Sequence, residues 1–195
     1  MHLLGSAARR LTMMASVLII AATSPVAAQM RPALTPALDS ARAALDKYRD
    51  PVAAVHDGYL STVACMDYPA GGMAGETHFV AGAMGVHLLN GSLIGAALDP
   101  ARPQVLIYEP RGDSLRLVGA EWFVPVQATT ERPQLFGRPF DGPMDGHQPI
   151  MPETLRHWDL HAWLWSENPA GVFSSTNPAV RCPNAAYTVR MAGGH

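Results

Sequence analysis

The chain has 195 residues, with 14 Lys and Arg against 16 Asp and Glu and a formal net charge of −2. Lys47 is the sole lysine, and no basic patch interleaves with aromatics, so the electrostatic footprint of a nucleic-acid binder is missing. The length suits one domain with a sizeable core.

In chain order, residues 1–28 are expected to be a signal peptide removed from the mature protein. His2 to Arg10 carries two arginines and no acid, Leu11 to Thr23 is an apolar run of 13 residues, and Val26 and Ala28 occupy the small-residue positions before a cleavage point. The run is too short for a spanning helix, which favours a cleaved signal over an anchor. Arg9-Arg10 hints at a twin-arginine signal, but Thr12 follows where an apolar residue is wanted. Cleavage would leave 12 basic and 16 acidic residues, a net charge of −4, with no further apolar run of spanning length. The expected product is a periplasmic or secreted protein with no membrane contact and no nucleic-acid partner.

Residues 29–62 read as an N-terminal helical segment, forming one compact unit with a β-rich region over 63–195. Thr35 is a candidate N-cap and Pro36 suits the first helical position. Leu38, Ala41, Leu45 and Tyr48 recur at helical spacing, and Pro51 ends the run. "VAAVHDGYLST" predicts a second short helix stopped near Gly58, with His56 solvated or satisfied within it.

From Cys65 onward the pattern is β. "MGVHLLNG" is a short strand ending in a turn, and "QVLIYEPRGDSLRLVGAEWFVPVQ" is a hairpin around Pro110-Arg111-Gly112-Asp113. The RGD there is turn chemistry. Residues 132–152 hold five prolines and three glycines and are expected to form a long packed loop. Cys65 and Cys182 are the only cysteines. In an oxidising compartment they read as one disulfide, and neither has the CxxC partner a thiolate metal site would want. The predicted fold class is therefore α+β, with N-terminal helices packed on a mainly antiparallel sheet.

Period two along the strands sorts the polar residues. Leu115, Leu117, Gly119, Glu121 and Phe123 are expected to share one face, which makes Glu121 a lone acid in an apolar row. His87 shares its face with Leu89. In "HWDLHAWLW", His157, Asp159, His161, Trp163 and Trp165 are expected on one face. A buried carboxylate needs a partner or a cation, and two imidazoles with one carboxylate form the ordinary shell of an open zinc or non-haem iron site. His87, Glu121 and His161 are the candidate metal ligands. His78 and His157 are further candidates, for a fourth ligand or a surrounding shell, with Asp159 or His157 orienting His161 from the rim and Trp163 and Trp165 excluding water. Opposed to this, each histidine could be a satisfied core residue, and Glu121 could pair with Arg116 or Arg181. Glu109, beside the turn, reads as rim. Met66, Met73, His78, Met84 and His87, interspersed with glycines, add copper to zinc and iron as metals to consider, although methionines also fill irregular gaps. No GxSxG and no phosphate-cradling glycine loop is present.

The segments "DGYLSTVAC", "GAMGVHLLNG", "VLIYEP", "LRLVGAEWFVP", "LFGRPFDGPMDGHQPIMP", "LHAWLWSENPAGVF" and "NPAVRCP" give the chain a resemblance to a family of small exported bacterial proteins of unassigned function. The resemblance spans nearly the whole mature chain. It implies a helical segment followed by a sheet domain and carries over no activity. His87, Glu121 and His161 lie inside the matching segments, His78 lies outside them, and His157 just precedes one.

Two functions are expected on these grounds. One is a metal-binding protein, with metal-dependent oxidoreductase or hydrolase chemistry as its enzymatic form. The other is a non-enzymatic module in which Trp122, Trp158, Trp163 and Trp165 line a pocket for a small apolar or sugar ligand.

Overall fold

The structure, a computed structural model, describes residues 34–147, 151–183 and 188–190. The signal-peptide expectation for residues 1–28 falls outside them. Helix α1 spans Pro36–Leu45, and the Thr35 hydroxyl accepts a hydrogen bond from the Leu38 N–H at 3.4 Å. Its apolar stripe of Leu38, Ala41 and Leu45 is buried, and a 3-10 turn over Asp46–Arg49 continues the stripe to Tyr48. Pro51 lacks a donor to continue that turn. It opens α2, Pro51–His56, which is capped by the Asp50 carboxylate at 2.9 Å from the Val52 N–H.

Eleven strands follow among the described residues: β1 Leu60–Tyr68, β2 Gly72–Ala74, β3 Thr77–Phe79, β4 Gly82–Leu89, β5 Val105–Arg111, β6 Ser114–Pro125, β7 Gln134–Leu135, β8 Arg138–Pro139, β9 Asp141–Met144, β10 His157–Ala162 and β11 Thr188–Arg190. Seven form one sheet in the order β11-β1-β4-β5-β6-β10-β9, antiparallel throughout except for the β1–β11 pair. The remaining four form two small hairpins, β2–β3 and β7–β8. The expected antiparallel sheet with helices packed on it is present. Leu38, Leu45 and Tyr48 join Leu106, Tyr108, Trp122 and Leu160 in a single buried cluster on one face. Hydrogen bonds fasten the two layers: the Tyr108 hydroxyl donates to the Tyr48 carbonyl at 2.6 Å, and the Trp165 indole N–H donates to the Asp46 carboxylate at 3.0 Å.

The opposite face carries Val105, Ile107 and Val118, and a further cluster of Met66, Tyr68, Phe79 and Met84. The expected row along β6 is corrected here. Tyr108 pairs with Leu117 but Ile107 pairs with Gly119, so Val118 is an extra residue in the strand. This β-bulge flips the alternation. Leu115 and Leu117 face the helices, whereas Gly119, Glu121 and Phe123 face away.

The proline-rich stretch is also more ordered than a loop. It contributes β9 as an edge strand beside β10, a position where proline's missing donor is tolerated. Cys65 and Cys182 form the expected disulfide with a Cα separation of 5.6 Å. It ties the segment ahead of β11 to β1 across a sequence separation of 117.

Candidate metal centre

The site lies on the sheet face away from the helices. One row across the sheet runs Leu89, Val105, Glu121, His161, each directly opposite the next. His87 sits two residues before Leu89 on β4, on the same face, and its imidazole reaches Glu121. His87 Nε2 is 3.3 Å and His161 Nε2 is 3.6 Å from Glu121 Oε2, and all three residues are buried. One ligand atom from each lies within 4.8 Å of the others. Ligands held 2.0–2.2 Å from a tetrahedral metal stand about 3.4 Å apart. Two of the three edges already match that spacing, so this buried group could hold a metal ion.

Electrostatics point the same way. Burial alone would raise the Glu121 carboxyl, but the His161 and His87 imidazoles beside it reverse this and hold it well below the usual carboxylate range. Burial pushes the His161 imidazole down to about 4, against the pull of Glu121. The result at neutral pH is a buried anion beside a neutral imidazole. No lysine or arginine pairs with Glu121 among the described residues. The two arginines expected to close it are engaged elsewhere: Arg116 donates to Glu109 Oε2 at 2.6 Å and the Arg181 guanidinium donates to the Pro178 carbonyl at 2.5 Å. Arg111 also donates to Glu109 Oε2 at 2.9 Å, and the Arg181 backbone N–H to Oε1 at 3.0 Å. Glu109 is therefore a buried, satisfied ion-pair centre and not a rim residue.

Around the three candidate ligands is a cavity of about 150 Å³ whose lining includes His147, His157 and Asp159. Asp159 is fully buried and not at the rim as expected. Its Oδ2 is 3.9 Å from both His161 Nδ1 and His157 Nε2, close enough to orient either ring after a small shift but beyond hydrogen-bond length. Burial, reinforced by the Glu121 and Asp141 carboxylates, raises it well above the ordinary aspartate value. His157 is held apart from the ligand group: its Nδ1 contacts the Leu155 carbonyl at 3.1 Å and its ring stacks on Phe123.

His147 was not anticipated from the sequence. It comes from the segment after β9 and packs against His157 and Phe79. Burial, then the nearby His157, pushes its imidazole down to about 4. Among the described residues, the buried side-chain polar atoms without a hydrogen-bond partner are Tyr68 Oη, His87 Nδ1, His147 Nε2, Asp159 Oδ1 and both nitrogens of His161. All but the first belong to this one cavity. Native proteins leave few such groups, and each calls for a physical reason. A cation held by the Nε2 atoms would supply one for His161 Nε2.

Other expectations are corrected. His78 is exposed on β3, paired with Met73, and lines a separate surface cleft with Arg132, Arg138 and Asp141. With Met73 also 41% exposed, Met66 and Met84 are the methionines of the copper set that reach the cavity with His87. The alternation of β10 stops at Ala162, so Trp163 and Trp165 do not wall the site. Trp165 joins the helix-side core and Trp163 packs beside Ile107 and Val118. Nor do the tryptophans share a pocket. Trp122 is fully buried and donates to the Asp99 carbonyl at 2.9 Å, Trp163 donates to the Ser174 carbonyl at 2.6 Å, and Trp158 lies under the Arg132 guanidinium.

No family model matches the chain, and no curated protein or solved structure matches it either.

Proposed function

We propose that the protein binds one divalent transition metal through His87, Glu121 and His161. The observation that carries this is the meeting of a buried carboxylate and two imidazole Nε2 atoms at 3.3 and 3.6 Å with no fixed cation beside them. Two nitrogens and one oxygen suit zinc or iron(II), and the thioethers of Met66 and Met84 in the same cavity keep copper within range. Three protein ligands leave coordination positions open, the arrangement of reactive rather than purely structural metal sites.

Export belongs to the same proposal. A disulfide spanning most of the domain persists in oxidising compartments, and among the described residues no helix is long and apolar enough to cross a membrane. Together with the N-terminal pattern of residues 1–28, this supports a periplasmic or secreted protein of the small exported family it resembles.

The test is elemental analysis of protein purified without a histidine tag. One equivalent of zinc, iron or copper is expected, lost in the His87→Ala/His161→Ala double variant. Metal-free protein that takes up none of these ions on dialysis would overturn the reading.

A further inference from the structure

The cavity beside the candidate ligands has walls of a different character from its floor. Met66, Met84, Leu89, Val105, Phe123 and Leu155 contribute apolar surface, while Glu121, His161 and His87 occupy one side. Among the described residues no lysine or arginine lines it. Ile94 and Pro152 line it too and are exposed, so the chamber reaches the surface between them.

We propose that this chamber binds a neutral molecule of about the size of a benzene ring, apolar in body and carrying one polar head that reaches the metal. The proposal rests on the metal reading and adds the ligand class.

Three observations carry it. The volume is about 150 Å³, and an apolar cavity of about that size stays dry and admits benzene-sized molecules. The side chains offer no fixed positive charge other than the metal, which Glu121 already offsets in part. An anionic substrate would leave most of its charge desolvated against thioether and hydrocarbon, which is costly. A single polar head, by contrast, meets polar company: His147 and Asp159 line the same space, and each carries a buried polar atom without a hydrogen-bond partner that a small side-chain shift can turn to the ligand. Convergent polar groups in an otherwise apolar concavity are the usual make-up of a small-molecule site.

The experiment loads the full-length protein with cobalt(II) and follows its visible absorption. Phenol should perturb the spectrum saturably. Phenyl phosphate, the same ring with a charged head, and biphenyl-4-ol, too long for the chamber, should bind at least tenfold more weakly. Ile94→Trp, a change at the exposed mouth, should retain the cobalt spectrum and its response to azide while weakening phenol at least tenfold.

If azide perturbs the metal but phenol does not, or if phenyl phosphate binds as well as phenol, the ligand class is wrong and the metal reading stands. If phenol binding ignores Ile94→Trp, the ring sits elsewhere and the proposal fails. If cobalt does not bind at all, the metal reading falls and takes this proposal with it.

Discussion

Glu121→Gln keeps the shape of the side chain and removes its charge, so it separates metal binding from packing. Zinc at a hundred times its Kd stabilises the native state by about 2.7 kcal/mol. A domain of this size gains about 2–4 °C per kcal/mol, so zinc should raise the melting temperature of the unaltered protein by about 5–11 °C. Removing one partner from a buried charge pair costs about 3–5 kcal/mol, or a factor of about 10²–10⁴ in affinity. The same zinc concentration then lies at or below Kd, and the stabilisation falls to about 0.4 kcal/mol or less.

Glu109→Gln is the control. It weakens charge-assisted bonds to Arg111 and Arg116, whose side chains are 57% and 44% exposed and can turn to water. It should cost about 1–2 kcal/mol and leave the zinc-induced rise intact. Calorimetry with and without zinc, with metal content measured on the same samples, decides the matter. A Glu121→Gln protein that keeps a full equivalent of zinc and the full rise would refute the reasoning.

The disulfide should leave no reactive thiol in denatured, unreduced protein. Closing a loop with a separation of 117 residues should make reduction lower unfolding stability by about 5 kcal/mol. The metal-free protein should lose stability in acid. Burial holds His161 and His147 down to about 4, while unfolded imidazoles titrate near about 6.5. The unfolded chain therefore binds more protons between those limits, and the contribution is full above the higher value and lost towards the lower. Asp159, raised by burial, acts in the opposite sense and penalises the fold as pH climbs, so the acid loss is read in the metal-free Asp159→Asn variant, where that opposing group is gone. A flat melting profile from pH 8 to pH 4 would refute this. Asp159→Asn should weaken metal binding by about 10–100-fold if it orients His161, read by competition with a chromogenic chelator. His78→Ala, on the exposed β3 hairpin, should leave metal affinity unchanged.

Strand periodicity made the three candidate ligands legible, because alternation is a local property that needs no knowledge of neighbours. His87, Glu121 and His161 lie where β4, β6 and β10 put every second side chain. The register that sets His161 opposite Glu121 was not legible, since β6 and β10 are separated by the long proline-rich segment. The same assumption of strict alternation misplaced Leu115 and Leu117, because it cannot see the extra residue at Val118. Gly119 beside it was the available signal, as glycine within a strand often marks a bulge. A Cβ there would stand 2.9 Å from the Ala162 carbonyl, which explains why β10 can approach so closely. His147 had no periodic signal at all. Its place in the cavity depends on how the segment after β9 folds back, which is tertiary information. Asp159 was recognised as a same-face neighbour of His161, but its depth follows from β9 covering the sheet edge, an element that its prolines had disguised.

Glu109 and Glu121 show why the second of these is better explained by a ligand than by stability. Both are buried on β5 and β6, and both face away from the helices. Glu109 lies near the hairpin end, where Arg111 and Arg116 bring charge from the surface and a backbone N–H completes its bonding. Glu121 lies inward, where its charged-group neighbours are imidazoles. An apolar residue there would stabilise the fold at least as well, since buried ion pairs rarely outperform hydrophobic packing. The surrounding chemistry makes sense for a cation instead. Metal binds neutral imidazole, and a protonated ring must first lose its proton. Burial already holds His161 in the neutral form at physiological pH, so a cation entering the site would meet a nitrogen lone pair and a carboxylate that are both ready to coordinate. The orphaned nitrogens and the isolated anion then fit one arrangement, in which candidate ligands lie beside an apolar chamber and the fold bears their desolvation.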